Sequence, residues 1–201
     1  MKHILFLIIF TFLLHTVPAL AQEGGNEEET HRYSDRIPFQ EQSIVTANLF
    51  KTACIANFGV LKEAEKFLNK NLKKVTNSQR RRFVLNFTKT SADSQVWVAN
   101  FRQGINYVVT SPSGACHVLA ENAHPAIIHN EVKALSNEMK NGMVGTIKYE
   151  EAQENGNLLN SEFKIYGENK QIAGRIVAST PIQRQPNDPS ALLSMYNYHS
   201  Q

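Results

Sequence analysis

Short strand-like segments separated by turn residues run from residue 82 to residue 180, and this pattern constrains the fold most. Phe83, Leu85 and Phe87 recur with a period of two, as a half-buried strand requires. Further segments that alternate or are rich in β-branched and aromatic residues cover 95–101, 105–110, 115–120, 143–151, 158–166 and 171–180. Because short turns join most of them, the sequence predicts a sheet of about seven antiparallel strands.

Three other segments show the spacing of three and four residues that marks amphipathic helices. They cover residues 43–59, with Phe50 and Cys54 on the apolar face, residues 60–72 and residues 124–142. The predicted order is α-α-β-β-β-β-α-β-β-β. Helices that are segregated from strands in this way predict an α+β domain, with the helices packed on one face of the antiparallel sheet.

The first 21 residues have the three parts of a secretory signal peptide. Lys2 supplies the positive charge, residues 4–14 form the apolar stretch, and the small residues Ala19 and Ala21 precede a cleavage site at Gln22. The apolar stretch is too short for a bilayer span, which needs about 20 residues. We therefore expect cleavage between Ala21 and Gln22, and a periplasmic or secreted mature chain without a transmembrane segment.

The rest of the chain divides into three parts by composition. Residues 22–43 are polar and acidic and predict a flexible linker, and residues 44–180 have the length of a single domain. Residues 181–201 contain three prolines and predict a tail, whose apolar end could form a short helix that docks on the domain or on a partner. A net charge of +3 is too small to indicate a nucleic-acid-binding protein.

The chain has two cysteines, Cys54 in the first predicted helix and Cys116 in the fourth predicted strand. In an exported protein an even number of cysteines favours a disulfide, and a helix packed over a sheet can bring the two together. The alternative is that Cys116 is a nucleophile with His117 as its base. We favour the disulfide, because neighbours along a strand point to opposite faces.

No catalytic residue, metal site or cofactor site is predicted. His124 and His129 are five positions apart, whereas a metal-binding pair on one helix face needs a spacing of three or four. Glu150, Glu151 and Glu154 surround a predicted hairpin at Asn155-Gly156, and we interpret them as a solvated sheet edge.

The strongest charge feature is a run of six cations within thirteen residues, with no acidic residue among them. Such a run could bind an anionic lipid or a wall polymer, or it could simply be a solvated connection. The aromatic residues that single-stranded nucleic-acid binders place between their cations are missing. The candidate anion-binding residues are Lys70, Lys73, Lys74, Arg80, Arg81 and Arg82.

The residues that surround the two cysteines, Asn48–Cys54 and Ser113–Val118, resemble a family of small exported proteobacterial envelope proteins of uncharacterised function. The likeness covers residues 44–120. It implies a Gram-negative envelope protein with one disulfide, and it implies no activity. Some members of that family look lipid-anchored, but this chain lacks a cysteine directly after the signal peptide.

These features together predict an exported, non-enzymatic binding or interaction module, whose partner is an envelope protein or an anionic surface. Two alternatives stay open. One is a periplasmic hydrolase or transferase with dispersed catalytic residues, and the other is a secreted factor that acts on a host.

Overall fold

The structure, a computed structural model, describes residues 40–57, 60–102, 104–142, 146–167, 170–183 and 188–197. The predicted signal peptide and residues 22–39 of the predicted linker lie outside the described residues. So do the predicted end of the first helix at Gly59 and a predicted turn at Glu168-Asn169.

Four helices are present in the described part of the chain. Helix α1 covers residues 40–50 and continues as a π-helical turn at Lys51–Ile55, and the others are α2 (Leu61–Asn71), α3 (Ser78–Thr88) and α4 (Pro125–Gly142). Residues 40–43, predicted to be linker, are therefore helical. They join the fold because Gln42 is buried and its side-chain amide donates to Asn106 Oδ1 over 3.0 Å.

Eight strands form one antiparallel sheet, which confirms the predicted α+β class. Their spatial order is β1-β2-β3-β4-β8-β7-β6-β5. In chain order they are β1 (Lys73–Lys74), β2 (Gln95–Phe101), β3 (Gly104–Thr110), β4 (Cys116–Ala120), β5 (Thr146–Asn155), β6 (Leu158–Tyr166), β7 (Ile172–Pro181) and β8 (Ala191–Asn197).

The first predicted strand is wrong, because Phe83 and its neighbours belong to helix α3. The side chain of Asn77 caps this helix by accepting the backbone N–H of Arg80 over 2.9 Å. Phe83 and Phe87 are four positions apart, so they share a helix face, with ring centroids 6.1 Å apart. The buried residues are instead Val84, Leu85 and Thr88, which follow helical spacing.

The predicted tail is also wrong for residues 191–197, which form the central strand β8. This strand pairs with β4 on one side and with β7 on the other. It enters the sheet because Leu193 and Met195 are buried in the main apolar core. The prolines that indicated a tail precede the strand and do not interrupt it.

The sheet has two different faces. Helices α1, α2 and α4 cover one face, where the main core contains Trp97, Val118, Phe163 and Leu193. Helix α3 packs on the other face, mainly over β3 and β4, in a smaller cluster that includes Val96 of β2 and extends to Leu192 of β8. The expectation of helices on a single face therefore holds for three of the four. On the α3 side, the α3 cluster reaches β8 at Leu192, and the described helices make no extensive contact with β7, β6 and β5. We call the surface of β8, β7, β6 and β5 on this side the open face.

Candidate functional site

A cavity of about 700 Å³ lies on the open face, where α3 ends. Its floor comes from β4, β8 and β7, and its walls come from the end of α3, the β3–β4 turn and the start of β6. Residues that line it include Thr88, Lys89, Ser111, Ser113, His117, Leu158, Val177, Ser179, Asp188, Leu192, Ser194 and Tyr196. This volume is within the range of small-molecule sites.

His117 lies in the floor of this cavity, only 1% exposed. Strand β4 pairs it directly with Ser194 of β8, and its Nδ1 atom lies 2.9 Å from the Ser194 hydroxyl oxygen. The Tyr196 ring meets the imidazole edge-to-face, with centroids 5.6 Å apart. These contacts fix the orientation of the imidazole.

The other ring nitrogen of His117, Nε2, has no hydrogen-bond partner among the described residues. In the described residues, the fully buried side-chain atoms without a hydrogen-bond partner are Asn106 Nδ2 and Asn160 Oδ1, and His117 Nε2 is not among them. Nε2 therefore keeps some accessible surface, and His117 lines the cavity. It is the ring atom of His117 that is available to a bound molecule.

Burial lowers the pKa of His117 to about 4. The imidazole is therefore uncharged at neutral pH, and it can donate or accept one hydrogen bond at Nε2 without introducing a charge. Such a low pKa also makes the ring a weak general base, because efficient catalytic bases have pKa values near the working pH.

Hydroxyl groups surround the cavity and bond to one another. Thr88 and Thr90 are joined over 2.8 Å between their hydroxyl oxygens, and Ser111 and Ser113 over 3.0 Å. A hydroxyl offers one donor and two acceptor positions, so each pair keeps hydrogen-bonding capacity for a ligand. These hydroxyl pairs make their part of the wall polar without adding a charge.

Lys89 forms part of the wall with a backbone conformation that lysine rarely adopts. It is the C-cap of α3, with φ at 54° in the left-handed region, and its N–H is directed at the carbonyls of Leu85 and Asn86. Glycine usually occupies such a position. This cap turns the chain away from the helix and towards the cavity.

Cys54 and Cys116 form a disulfide with a Cα–Cα distance of 5.6 Å, which confirms the predicted pairing. The bond joins the end of α1 to the first residue of β4. Cys116 belongs to the helix-covered core, whereas His117 faces the cavity on the opposite side. In the disulfide form, Cys116 is therefore not a nucleophile.

His129 lies in helix α4 and His124 directly precedes it, and the two residues have separate contacts. His129 is buried, with Nδ1 2.7 Å from the Ser161 hydroxyl and Nε2 2.9 Å from the Thr180 hydroxyl. His124 uses its backbone N–H to bond Ser43 Oγ over 2.6 Å. Within the described ranges, no three His, Cys, Asp or Glu side chains are close enough to hold a metal ion.

The six cations of the basic run lie in three elements and face different directions. Lys73 and Lys74 are neighbours in strand β1, paired with Val98 and Trp97, so they point to opposite faces. Arg80 is paired with Glu121 over 3.3 Å, and Arg81 donates to two backbone carbonyls of the α3–β2 loop.

A second groove of about 700 Å³ lies beside this basic run. Lys73, Lys74 and Arg80 line it together with Thr76 and Asn77. Lys70, Arg81 and Arg82 do not line the groove, so only part of the predicted set shares one surface. Anion binding by these residues stays a prediction.

Two of the three acidic residues near the β5–β6 hairpin, Glu150 and Glu151, are paired with lysines. Glu150 accepts from Lys164 over 2.9 Å, and Glu151 accepts from Lys133 over 3.0 Å. Lys164 also bonds Glu162, so it bridges two carboxylates that face each other across β5 and β6. This arrangement fits the interpretation of a solvated edge.

The hairpin turn lies at Gly156-Asn157 and not at the predicted Asn155-Gly156, because β5 continues through Asn155.

Comparison of the chain with protein-family models, with curated proteins and with solved structures finds no match. None of the described helices is both long enough and apolar enough to span a membrane.

Proposed function

We propose that the protein is an exported binding module of the cell envelope, which holds a ligand in the cavity of the open face and catalyses no reaction. The observation that carries the proposal is His117, a buried, uncharged side chain in the cavity floor, with Nδ1 bonded and Nε2 unpaired among the described residues. Such a group supports ligand orientation, because a few convergent polar groups in a partly apolar cavity are typical of binding sites.

Export is supported by the sequence of residues 1–21 and by the disulfide, a bond that persists in oxidising compartments. The resemblance around Cys54 and Cys116 to exported envelope proteins points the same way. We expect the protein purified from the periplasm of its host to begin at Gln22 on N-terminal sequencing. Intact Met1 on protein from a cytosolic fraction would contradict the proposal.

The alternative of a hydrolase has one observation in its favour, the contact between His117 and Ser194. Three features weaken it. The pKa of His117 is too low for an efficient base, no described carboxylate bonds to its ring, and Ser194 is buried in the middle of a strand. The other alternative, a secreted factor that acts on a host, is supported by the predicted export signal alone.

The binding function is tested by native mass spectrometry of protein isolated gently from envelope extracts. Leu158 lines the cavity and Ile172 does not, yet both are apolar strand residues that are 40% exposed. We expect the wild type to carry a bound mass. The same bound mass should persist in Ile172→Asp and disappear in Leu158→Asp.

The pair of variants controls for the general effect of an added surface charge. A wild-type spectrum without a bound mass, or equal occupancy in Leu158→Asp and Ile172→Asp, would contradict a binding function for the cavity.

A further inference from the structure

The polar groups at the floor of the cavity are uncharged. His117 is neutral at neutral pH and offers Nε2, and the neighbouring Ser194 hydroxyl is engaged with Nδ1. Ser179, on the adjacent strand β7, adds a further hydroxyl to the cavity lining. A ligand that reaches this floor therefore meets hydrogen-bonding groups and no formal charge.

Apolar side chains form a large part of the remaining lining. They come from the end of α3, from the start of β6, from β7 and from β8, so they lie around the polar floor on several sides. The residues are Phe87, Leu158, Val177, Pro181, Pro189 and Leu192. An apolar group covered by these side chains gains about 25 cal/mol for each Å² removed from water.

The charged residues of the lining are Lys89 and Asp188, which carry opposite signs. Lys89 is exposed, so its ammonium group stays in water. Among the described lining residues these two charges cancel, so the lining supplies no excess charge of either sign. An ionic group moved onto the floor beside His117 loses hydration and meets only uncharged groups there, which is strongly unfavourable.

We propose that the cavity of the open face binds an uncharged amphipathic molecule, with a hydroxyl or carbonyl group on His117 Nε2 and an apolar chain against Leu158, Val177 and Leu192. This inference rests on the proposed binding function and gives that site its ligand class. The polar contact involves one atom and the apolar contact a separate set of side chains, so the two can be tested separately.

The test compares three probes with apolar chains of nine or ten carbons and different heads. Decanoylglycerol is uncharged, decanoate is anionic and decyltrimethylammonium is cationic. Each is titrated into the mature protein at neutral pH, below its micelle concentration, by calorimetry. We expect decanoylglycerol to bind about tenfold more tightly than either ion, because each ion loses hydration that the cavity does not replace.

Two pairs of variants locate the binding. Leu158→Asp should weaken decanoylglycerol binding about tenfold, because it puts a carboxylate on the apolar wall, and Ile172→Asp should leave it unchanged. Ser113→Phe should obstruct the cavity from an exposed wall position, and Ser78→Phe, at an exposed position outside the lining, is its control. Near-ultraviolet circular dichroism checks that each variant is folded.

The polar contact has its own readout, the ¹⁵N resonances of labelled histidines. On addition of decanoylglycerol, the Nε2 resonance of His117 should move, because it gains a hydrogen bond. The resonances of His129 should stay, because both of its ring nitrogens already have hydroxyl partners in the core. His129 thus serves as an internal reference for a direct effect.

Three results would overturn the ligand class. They are tighter binding of either ion, no binding of any probe to the wild type, or binding of decanoylglycerol without a shift at His117. Equal binding to Leu158→Asp and Ile172→Asp would overturn the location. The native mass spectra decide the binding function independently, because they detect whatever molecule the cavity holds.

Discussion

Removal of the disulfide should lower the free energy of unfolding by about 4 kcal/mol. Cys54 and Cys116 are 62 positions apart, and the bond closes that loop in the unfolded chain. Loop closure of this length removes about 14 cal/mol/K of entropy from the unfolded state, which corresponds to the stated value at 25 °C. The net stability of a domain is about 5–15 kcal/mol, so the variant should fold with a much smaller margin.

The chain has a natural reporter for this measurement. Trp97 is its single tryptophan, is fully buried, and donates its indole N–H to Asn69 Oδ1 over 3.2 Å. Urea unfolding of the wild type and of Cys54→Ala/Cys116→Ala, followed by tryptophan fluorescence, gives both free energies. Wild-type protein with added reductant should approach the double variant, because both lack the same covalent constraint.

Two results would refute this reasoning. The first is a loss of stability below about 1 kcal/mol in the double variant, since the loop-closure argument predicts several times more. The second is a pair of alkylatable thiols in freshly isolated periplasmic protein, instead of a mass two hydrogens below the dithiol form. Ligand occupancy should survive in the folded double variant, because the disulfide and His117 lie on opposite faces of the sheet.

Three further measurements follow from the structure. The pKa of His117 falls from 6.5 to about 4 on folding, so the stabilisation is complete above pH 6.5 and is lost as the pH falls. The free energy of unfolding should therefore be about 2 kcal/mol lower at about pH 5 than at about pH 7. The variant His117→Gln should show a smaller difference. In urea unfolding, Lys89→Gly should stabilise the protein by about 0.5–1 kcal/mol, since glycine adopts the left-handed conformation of the cap without strain. The control Lys66→Gly, in the middle of α2, should destabilise it by about 1 kcal/mol. A loss of stability in Lys89→Gly would contradict the strain argument. If the basic groove binds anions, binding to phosphatidylglycerol vesicles should weaken steeply with salt and be lost in Lys73→Gln/Arg80→Gln but not in Lys66→Gln, and binding that ignores salt counts against the hypothesis.

The elements that were predicted correctly are those in which the spacing of the apolar residues matches the spacing of the residues buried in the structure. Strands β2 and β6 occupy Gln95–Phe101 and Leu158–Tyr166, residue for residue as expected, because turn residues bound both segments. The Phe83–Phe87 segment was mistaken for a strand because its apolar residues alternate while its buried residues follow helical spacing. Strand β8 was missed because its central position depends on pairing with distant strands, which local patterns do not record.

The disulfide was predictable from two cysteines in a chain whose first 21 residues have the pattern of an export signal, but the cavity was not. Its floor combines His117, Val177 and Ser194, which come from three strands that meet only through the sheet order. One signal was present in the sequence. His117 stands beside Cys116 in an apolar strand, and alternation places it on the face opposite the cysteine. Nothing local indicated that helix α3 would end before covering that face.

The position of β8 also sets the order in which the chain can finish folding. Strands β2 to β4 form one hairpin series and β5 to β7 form another, and β8 joins them, although it is the last of the eight to be synthesised. Until residues 191–197 arrive, β4 and β7 are both open edges, with unpaired backbone groups that attract other strands. Cys116 and Met195, which face each other in the finished sheet, are far apart in the chain, and such distant pairings form slowly. A chain of this topology therefore cannot complete its sheet before residues 191–197 have been synthesised.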